Sequence, residues 1–314
     1  MGKTLYRKRE GTHGKAGSGN GSFPEGLPAP REKGDRGAPG TLYVVATPIG
    51  NLEDVTLRAI RILKEVSLIA AEDTRRTRIL LNAYQISTPL TSLYDQNESE
   101  KSAQLLARLE SGEDVAAVSD AGTPGISDPG YILVSRAVAL GIPVVPIPGA
   151  AALIAAISVS GLPMDSFVFL GFLPAKPVRR RELLGSLREE ERTLIFYESP
   201  HRLGAALEDI ETQLGARRVV VSREMTKIHE EFLRGTAGGV LAGLKDGAVK
   251  GEVTLLVAGR TRERREVSDA ELLAYSERLR QGEGGATSLR DMADRIATEM
   301  GVPRRRIYRL LLLS

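Results

Sequence analysis

The chain of 314 residues is long enough for about two domains, and its 42% hydrophobic and 26% charged residues are ordinary for a globular protein. It contains no cysteine, which excludes disulfides, thiolate metal sites and a cysteine nucleophile and fits a cytoplasmic location. The three histidines are scattered without zinc-ligand spacing, so we expect no metal. No stretch is apolar for long enough to predict a membrane span.

Residues 1–40 are rich in Gly, Pro, Lys and Arg and poor in apolar residues. Such a composition cannot offset the entropy cost of ordering, so we predict a disordered basic arm. This section holds eight Lys or Arg against four Asp or Glu, residues 260–314 hold twelve against nine, and the section between them is slightly acidic. Basic ends suit a nucleic-acid partner, although ordinary solvated ends explain the same charges equally well.

A first α/β unit is predicted over residues 41–165. Its apolar run at 42–46 ends at a Thr-Pro-Ile-Gly turn, and similar runs follow at 66–71, 114–118 and 143–147. Because these runs are apolar throughout instead of alternating, they predict the buried strands of a mostly parallel sheet with helices on both faces. The helices predicted between them are one capped by Asn51, those at 77–83, 99–110 and 129–140, and an Ala-rich helix that ends near residue 160.

A second α/β unit is predicted over residues 166–261. Its pattern indicates a charged helix at 177–190, a helix at 200–214 and a shorter helix before the last strand, with some antiparallel pairing in the sheet. The strands predicted for this unit are 167–172, 193–197, 217–222, 227–233 and 252–257.

The remaining section, residues 262–314, is predicted to be helical. Ser268 and Glu271 form an S-x-x-E capping box, and apolar residues recur at helical spacing over 289–300. A glycine then ends that helix and a further helix begins at Arg304, which is the order of a helix-turn-helix. This extension either contacts nucleic acid or only packs on the body of the protein.

Four irregular segments follow predicted strands of the first unit, at 47–51, 72–75, 119–130 and 148–152. Ligands of open parallel sheets bind beyond the carboxyl ends of the strands, so we expect the functional site there. The segment 119–130 consists mostly of Gly, Pro, Ser, Thr and Asp and is far longer than a strand-to-helix turn needs. None of the four is a P-loop or a GxGxxG, which predicts a ligand held by backbone amides and small side chains and not a polyphosphate.

Several of these segments resemble, in the same order along the chain, the ribosomal RNA small subunit methyltransferase I family of the tetrapyrrole methylase superfamily. The strings that carry the resemblance are VATPIGNLEDVTLRA, AEDTR, SDAGTPGISDPG, PGAAA, GFLPAK, FYESPHR, REMTK and KGEVTLLV. They span about residues 41–259, and the helical extension resembles one that many members carry. VATPIGN stands where tetrapyrrole methylases have VGxGPGD, which argues for the RNA branch and against a small porphyrinoid substrate.

The resemblance implies a two-domain, homodimeric methyltransferase that binds S-adenosyl-L-methionine in the cleft between its domains. The implied reaction is methylation of the ribose 2′-oxygen of a cytidine in the decoding region of 16S rRNA, so the partner is 16S rRNA or the small ribosomal subunit. Two alternatives stay open. One is a tetrapyrrole- or diphthine-type methylase that acts on a small molecule or a protein, and the other is a non-catalytic RNA-binding factor with the same fold.

A ribose hydroxyl is a weak acid, so a carboxylate or a lysine at the cleft should help methyl transfer. The candidates are Asp73 and Glu72, after the second strand, and Lys227 and Glu224 from the second unit. The first two could equally cap the following helix beside an arginine, and the other two could equally form an exposed ion pair.

For the cofactor, the first candidates are Asp120 and the backbone amides around Ser119 and Gly122, because glycines permit close backbone approach. Small alanines would let the adenosine lie flat, and the end of the FY strand could form the adenine wall. The full expected set is Pro48, Gly50, Ser119, Asp120, Gly122, Ala151, Ala152, Tyr197 and Glu198.

Guanidinium groups match the geometry of phosphates, so arginines near the cleft and on the helical extension are candidates for RNA contact. A charge run on a helix is also typical of a solvated face. The expected RNA-binding residues are Arg75, Arg76, Arg179, Arg180, Arg304 and Arg305.

Overall fold

The computed structural model describes residues 38–244, 250–261, 267–282 and 288–313. The arm predicted to be disordered lies almost wholly outside the described residues. Within them, strands and helices form two five-stranded sheets followed by a helical section. Among the helices of these ranges, none has the length and apolar character needed to cross a membrane.

The first sheet is parallel throughout. Its strands are β1 (Leu42–Val45), β2 (Leu68–Ala71), β3 (Leu90–Ser92), β4 (Val115–Val118) and β5 (Val144–Ile147). They lie in the order β3-β2-β4-β1-β5. The helices that connect them or follow them are α1 (Leu57–Glu65), α2 (Thr74–Ala83), α3 (Glu98–Glu110), α4 (Tyr131–Ala139) and α5 (Ala152–Ser160). All five strands therefore end at one edge, where ligands of such sheets bind.

Both faces of the first sheet are covered, and its central strands β2 and β4 are buried at every position. Leu63 and Leu80, from α1 and α2, pack on one face. Leu105 and Leu133, from α3 and α4, pack on the other. Each buried leucine contributes about 2 kcal/mol, so strands covered on both faces need side chains that are apolar throughout. The predicted, mostly parallel sheet is confirmed.

The second sheet is mixed. Its strands are β6 (Phe167–Phe172), β7 (Thr193–Glu198), β8 (Arg218–Arg223), β9 (Glu231–Thr236) and β10 (Val253–Val257). They lie in the order β6-β7-β10-β8-β9, in which only β6 and β7 pair in parallel. Its helices are α6 (Pro177–Ser186), α7 (Leu203–Leu214) and α8 (Ala237–Gly243). These helices pack on one face, and α5 of the first unit packs on the other through Ile157. The mixed sheet predicted for this unit is confirmed.

The helical section consists of α9 (Asp269–Gly282), α10 (Leu289–Met300) and α11 (Arg304–Leu313). The capping box is present, since the Ser268 amide donates to Glu271 Oε2 at 2.9 Å and the Glu271 amide donates to Ser268 Oγ at 3.2 Å. Gly301 ends α10 in a left-handed conformation with φ of 62°. The three helices share an apolar cluster that includes Ile296 and Ile307, which confirms the predicted helical extension.

Some local predictions were wrong. Asn51 caps only a single 3-10 turn, Leu52–Asp54, and Thr56 caps α1 through a 3.1 Å bond from the Ala59 amide. The strand expected at 227–233 begins later, at β9, because residues before it form a turn with left-handed backbone. The helix expected to reach residue 190 ends with α6, and β3 was not predicted.

Candidate active site

A cavity of about 420 Å³ lies between the carboxyl edge of the first sheet and the second sheet. Its size is within the range of small-molecule sites. Loops that follow β2, β4 and β5 line one side, and the ends of β6, β7 and β10 line the other. Six of the nine residues expected to contact the cofactor line it, namely Asp120, Gly122, Ala151, Ala152, Tyr197 and Glu198.

The other three expected residues, Pro48, Gly50 and Ser119, do not line the cavity. Ser119 is buried and its hydroxyl donates to the Gly122 carbonyl at 3.3 Å, so it stabilises the loop after β4 without contacting the cavity. A Cβ on Gly50 would lie 2.6 Å from Cγ of Lys227, which means that this glycine permits a close contact between the two units. These positions support the cavity without forming its surface.

The loop after β4 is fixed against the loop after β1. The Thr47 amide donates to the Gly122 carbonyl at 2.8 Å, and the Gly122 amide donates back at 3.1 Å. Gly122 has a φ of 92°, which an L side chain rarely adopts, and Thr47 Oγ1 also donates to the Ser119 carbonyl at 3.1 Å. The glycine-rich segment is therefore a folded wall of the cavity.

Carboxylates crowd this wall. Burial raises the pKa of Glu72. Burial and then the negative charge of Glu72 raise the pKa of Asp128 to about 7. Asp120 forms an ion pair with Arg76 at 3.6 Å, and its amide donates to Glu72 Oε2 at 3.3 Å. An acidic, half-buried wall of this kind favours a cationic ligand, because positive charge would relieve the repulsion among the carboxylates.

Asp73 lies outside the cavity lining and caps α2. Its Oδ1 accepts bonds from the Arg75 amide at 2.9 Å and from Arg75 Nε at 3.0 Å. The hydrogen bonds from the Arg75 side chain and backbone lower the pKa of Asp73 to about 2. This arrangement matches the capping alternative, and a carboxylate with so low a pKa is a weak base.

Tyr197 and Glu198 form the wall from the second unit. Tyr197 packs against the apolar cluster that includes Leu153 of α5, and burial raises the pKa of Tyr197. Glu198 is 2% exposed and forms an ion pair with Arg202 at 2.6 Å. Its other oxygen, Oε2, is buried without a hydrogen-bond partner among the described residues, so an acceptor is available to a ligand with an N–H or O–H group.

The turn between β8 and β9 holds Lys227 and Glu224 beside Glu252, which lines the cavity, although neither Lys227 nor Glu224 lines it. Lys227 Nζ lies 2.8 Å from Glu224 Oε1 and 3.2 Å from Glu252 Oε2. Burial acts to lower the pKa of Lys227, but the bonds and charges of these two carboxylates outweigh it and raise that pKa. Glu224 and Thr226 have φ of 48° and 66°, a strained backbone that persists only where its surroundings determine it.

The expected RNA-binding arginines occupy different environments. Arg76 lines the cavity, and Arg75 is exposed beside Asp73. Arg180 is 3% exposed, and its Nε donates to Asp209 Oδ2 at 2.7 Å. The expectation that Arg180 contacts RNA was wrong, because a helix that packs on α7 buries every third or fourth residue of a charge run.

Three further arginines of that set remain exposed. Arg179 lies on the outer face of α6. Arg304 forms an ion pair with Asp294 at 2.5 Å, and Arg305 follows it on α11.

Several residues of the cavity were not predicted from the sequence, among them Asp128, Phe172, Met225 and Thr254. Asp128 stands in the segment 119–130, and its position between two glycine-containing turns was the available signal. The other three stand in the strings GFLPAK, REMTK and KGEVTLLV, which carry the family resemblance but do not show which of their side chains face the cavity. The packing of the two units decides that.

Residues 41–240 match the family model of the Tetrapyrrole (Corrin/Porphyrin) Methylases. The ribosomal RNA small subunit methyltransferase I of Synechocystis sp. is 50% identical over 87% of this chain and 98% of its own length. The enzyme of that name from Halalkalibacterium halodurans is 47% identical over 86% of this chain and 94% of its own length. This chain belongs to the ribosomal RNA small subunit methyltransferase I family. The methyltransferase chemistry implied by the eight sequence strings is thereby confirmed.

Solved structures agree on the fold of this methyltransferase. Uroporphyrin-III-C-methyltransferase from Thermus thermophilus is similar with a TM-score of 0.52 and 22% identity, over 70% of this chain and 94% of that one. Diphthine synthase is similar with a TM-score of 0.53 and 16% identity, over 69% of this chain and 89% of that one. At such identities the likeness shows a tetrapyrrole methylase fold and does not bear on the substrate.

Proposed function

We propose that this methyltransferase transfers a methyl group from S-adenosyl-L-methionine to the ribose 2′-oxygen of a cytidine in the decoding region of 16S rRNA, in the cytoplasm. The observation that carries the proposal is the acidic cavity at the carboxyl edge of the first sheet, in a chain about half identical to curated enzymes named for the small-subunit rRNA. The cavity accounts for the methyl donor, and the relatives point to the acceptor.

The residues of the cavity fit a sulfonium cofactor. Among the described residues, its charged lining consists of five carboxylates against the single cation of Arg76. Ala151 and Ala152 keep one wall small, and Glu198 Oε2 offers a buried acceptor. When bound, the cofactor supplies an electrophilic methyl group. A solved uroporphyrin-III C-methyltransferase of the same fold holds S-adenosyl homocysteine, with a TM-score of 0.51.

Glu72 is the proposed acceptor of the 2′-hydroxyl proton. It lines the cavity, and its raised pKa makes it a stronger base than Asp73. The Glu72 carboxylate would accept the hydroxyl proton as the 2′-oxygen bonds to the methyl carbon and the bond from that carbon to the sulfonium sulfur breaks, which would leave a neutral thioether. Lys227 remains a charged ammonium between Glu224 and Glu252, so we propose that it orients substrate or stabilises negative charge instead of accepting the proton.

The proposed RNA surface begins at the rim of the cavity and extends to the helical section. Arg76 and Arg75 stand beside the cavity, with side chains 63% and 89% exposed. We propose that they hold phosphates next to the target nucleotide. Arg179, Arg304 and Arg305 would contact backbone farther away, as the exposed arginines of a helix-turn-helix do in other nucleic-acid complexes.

We also propose a homodimer, which the family resemblance implies. β5 is an edge strand of the first sheet, and α5, which follows it, leaves Ile154 and Val159 about half exposed. Apolar side chains next to an unpaired edge suit an interface between two copies. Light scattering of the purified protein tests this assembly, and a monomer at micromolar concentration would contradict it.

A transfer assay separates the proposed acceptor from those of related methylases. A tetrapyrrole- or diphthine-type methylase would label a porphyrinoid or an elongation factor. The assay supplies tritiated cofactor with small ribosomal subunits, uroporphyrin or elongation factor. We expect label only in the subunits, and label in either of the other acceptors would contradict the proposed substrate.

A further inference from the structure

Phe172 stands on the open rim of the cavity. It is 55% exposed although it lines the cavity, whereas Val253 and Thr254 on the floor are 4% and 3% exposed. Ile126 and Ser127 share the rim and are also exposed. An aromatic ring left open at the mouth of a site is a feature that protein packing alone does not explain.

The backbone is arranged to aim this ring. The pairing of β6 with β7 shifts register between Phe169 and Phe172, which marks a β-bulge. Gly171, inside the bulge, has a φ of 66°. A Cβ there would lie 3.3 Å from Oγ of Ser127, whose own φ is 66°. Bulges next to active sites re-aim side chains, and here the bulge meets the loop after β4 at a close contact where the left-handed backbone favours glycine.

Other aromatic side chains pack against one side of the Phe172 ring. Phe172 and Tyr197 pack edge to face with centroids 5.6 Å apart, and Phe169 packs on Tyr197 at 4.9 Å. Tyr197 also packs against the apolar cluster that includes Leu153 of the first unit. Phe172 is thus supported on one side, and the rest of its surface faces the opening.

We propose that Phe172 is the stacking surface for the base of the target nucleotide, which leaves the RNA stack so that its ribose reaches the cavity. Single-stranded bases are commonly held on aromatic side chains in RNA recognition. The carboxylates of the lining repel phosphates, so the neutral base and its sugar are the parts of the nucleotide suited to this rim. This inference rests on the proposed function and identifies how that site takes its substrate.

The test compares Phe172→Ala, Phe172→Leu and Phe172→Trp with wild type and with Val178→Ala. Val178 is 60% exposed on α6 and outside the cavity, so it is a matched control for loss of an exposed apolar side chain. The measurements are the KM for small ribosomal subunits, kcat and the calorimetric Kd for S-adenosyl-L-methionine.

We expect Ala and Leu at Phe172 to raise KM by about 10- to 100-fold, the scale of one lost base–aromatic stack. The Trp variant should stay near wild type, and the cofactor Kd should change less than about twofold in all variants. The Leu variant keeps apolar bulk at the bulge, so it reports on stacking even where Ala unfolds.

An unchanged KM in the Leu variant would overturn the inference. The proposed function would still stand in that case, provided that the wild type transfers methyl groups to the subunits. A weakened cofactor Kd would assign Phe172 to the cofactor and overturn it as well. Absence of transfer to subunits by the wild type would remove the proposed function, and the inference with it.

Discussion

Asp120 Oδ1 accepts a 2.9 Å hydrogen bond from the backbone amide of Asp73, which ties the loop after β4 to the loop after β2. The tie is reciprocal, since the Asp120 amide donates to Glu72 at 3.3 Å. Two adjacent carboxylates are therefore held at the cavity wall by backbone bonds in spite of their mutual repulsion.

Replacing Asp120 should weaken binding of the cofactor. Asp120→Ala removes a carboxylate from the wall and the bond to the Asp73 amide, so we expect the Kd for S-adenosyl-L-methionine to rise about tenfold or more. Asp120→Asn keeps an acceptor for that amide and isolates the effect of charge. Calorimetry measures both variants, and an affinity equal to wild type in the alanine variant would show that the loop does not bind the cofactor.

Glu72→Gln should separate catalysis from binding. The amide keeps an acceptor for the Asp120 backbone but cannot take a proton, so we expect kcat to fall by about 10² to 10⁴, with cofactor affinity reduced far less. Asp73→Asn is the matched control, because it keeps the cap of α2 and should retain transfer. Single-turnover assays on small subunits give the rates. Full activity in the Glu72 variant would show that Glu72 is not the base. Loss of activity in the Asp73 variant alone would assign that role to Asp73.

The stability of the free protein should depend on pH through Asp128. Burial raises the pKa of Asp128 in the folded protein to about 7, above its ordinary value of 3.8, so between these values the unfolded state binds fewer protons. Stability therefore falls as pH rises through this window. Asp128→Asn removes the effect, so the variant should gain Tm over wild type at pH 8 and lose that advantage at pH 4. The same difference in Tm between Asp128→Asn and wild type at pH 8 and at pH 4 would contradict the raised pKa of Asp128.

Two neighbouring arginines on α6 should behave differently. Arg180→Ala leaves the buried Asp209 without its main partner, which costs about 3 to 5 kcal/mol in comparable cases. Arg179→Ala, on the exposed face, should leave stability within about 0.5 kcal/mol and weaken RNA binding slightly. Denaturant unfolding measures the first effect and filter binding the second. Similar stabilities for the two variants would contradict the burial of Arg180.

The helical section should contribute to the salt dependence of RNA binding. Each lost phosphate contact lowers the slope of log K against log salt by about 0.7 to 0.9, so Arg305→Ala should flatten it by that amount. Arg306 instead bonds to Asp269 at 2.5 Å and to the Val267 carbonyl at 2.9 Å. Arg306→Ala should therefore lower the Tm of this section. An unchanged slope in the Arg305 variant would leave α11 a packing role.

The strands could be predicted because a strand that is buried on both faces has an apolar side chain at nearly every position, as β2 and β4 do. Asp120 and Ala151 could be placed for the same reason, since both follow such runs directly. Phe172 could not, because its exposure depends on a bulge that meets Ser127 from a loop more than forty residues earlier. Arg180 was misplaced because a run of arginines does not show which one faces the neighbouring helix.

The reaction proposed for this protein is methyl transfer to a ribose of the small-subunit rRNA. Wild-type protein, S-adenosyl-L-methionine and small ribosomal subunits from cells that lack the protein are incubated together, and the rRNA is digested for mass spectrometry. We expect one 2′-O-methylated cytidine in a decoding-region fragment, absent without enzyme and formed far more slowly with Glu72→Gln. Methylation on a base, or no added methyl group in the rRNA, would contradict it.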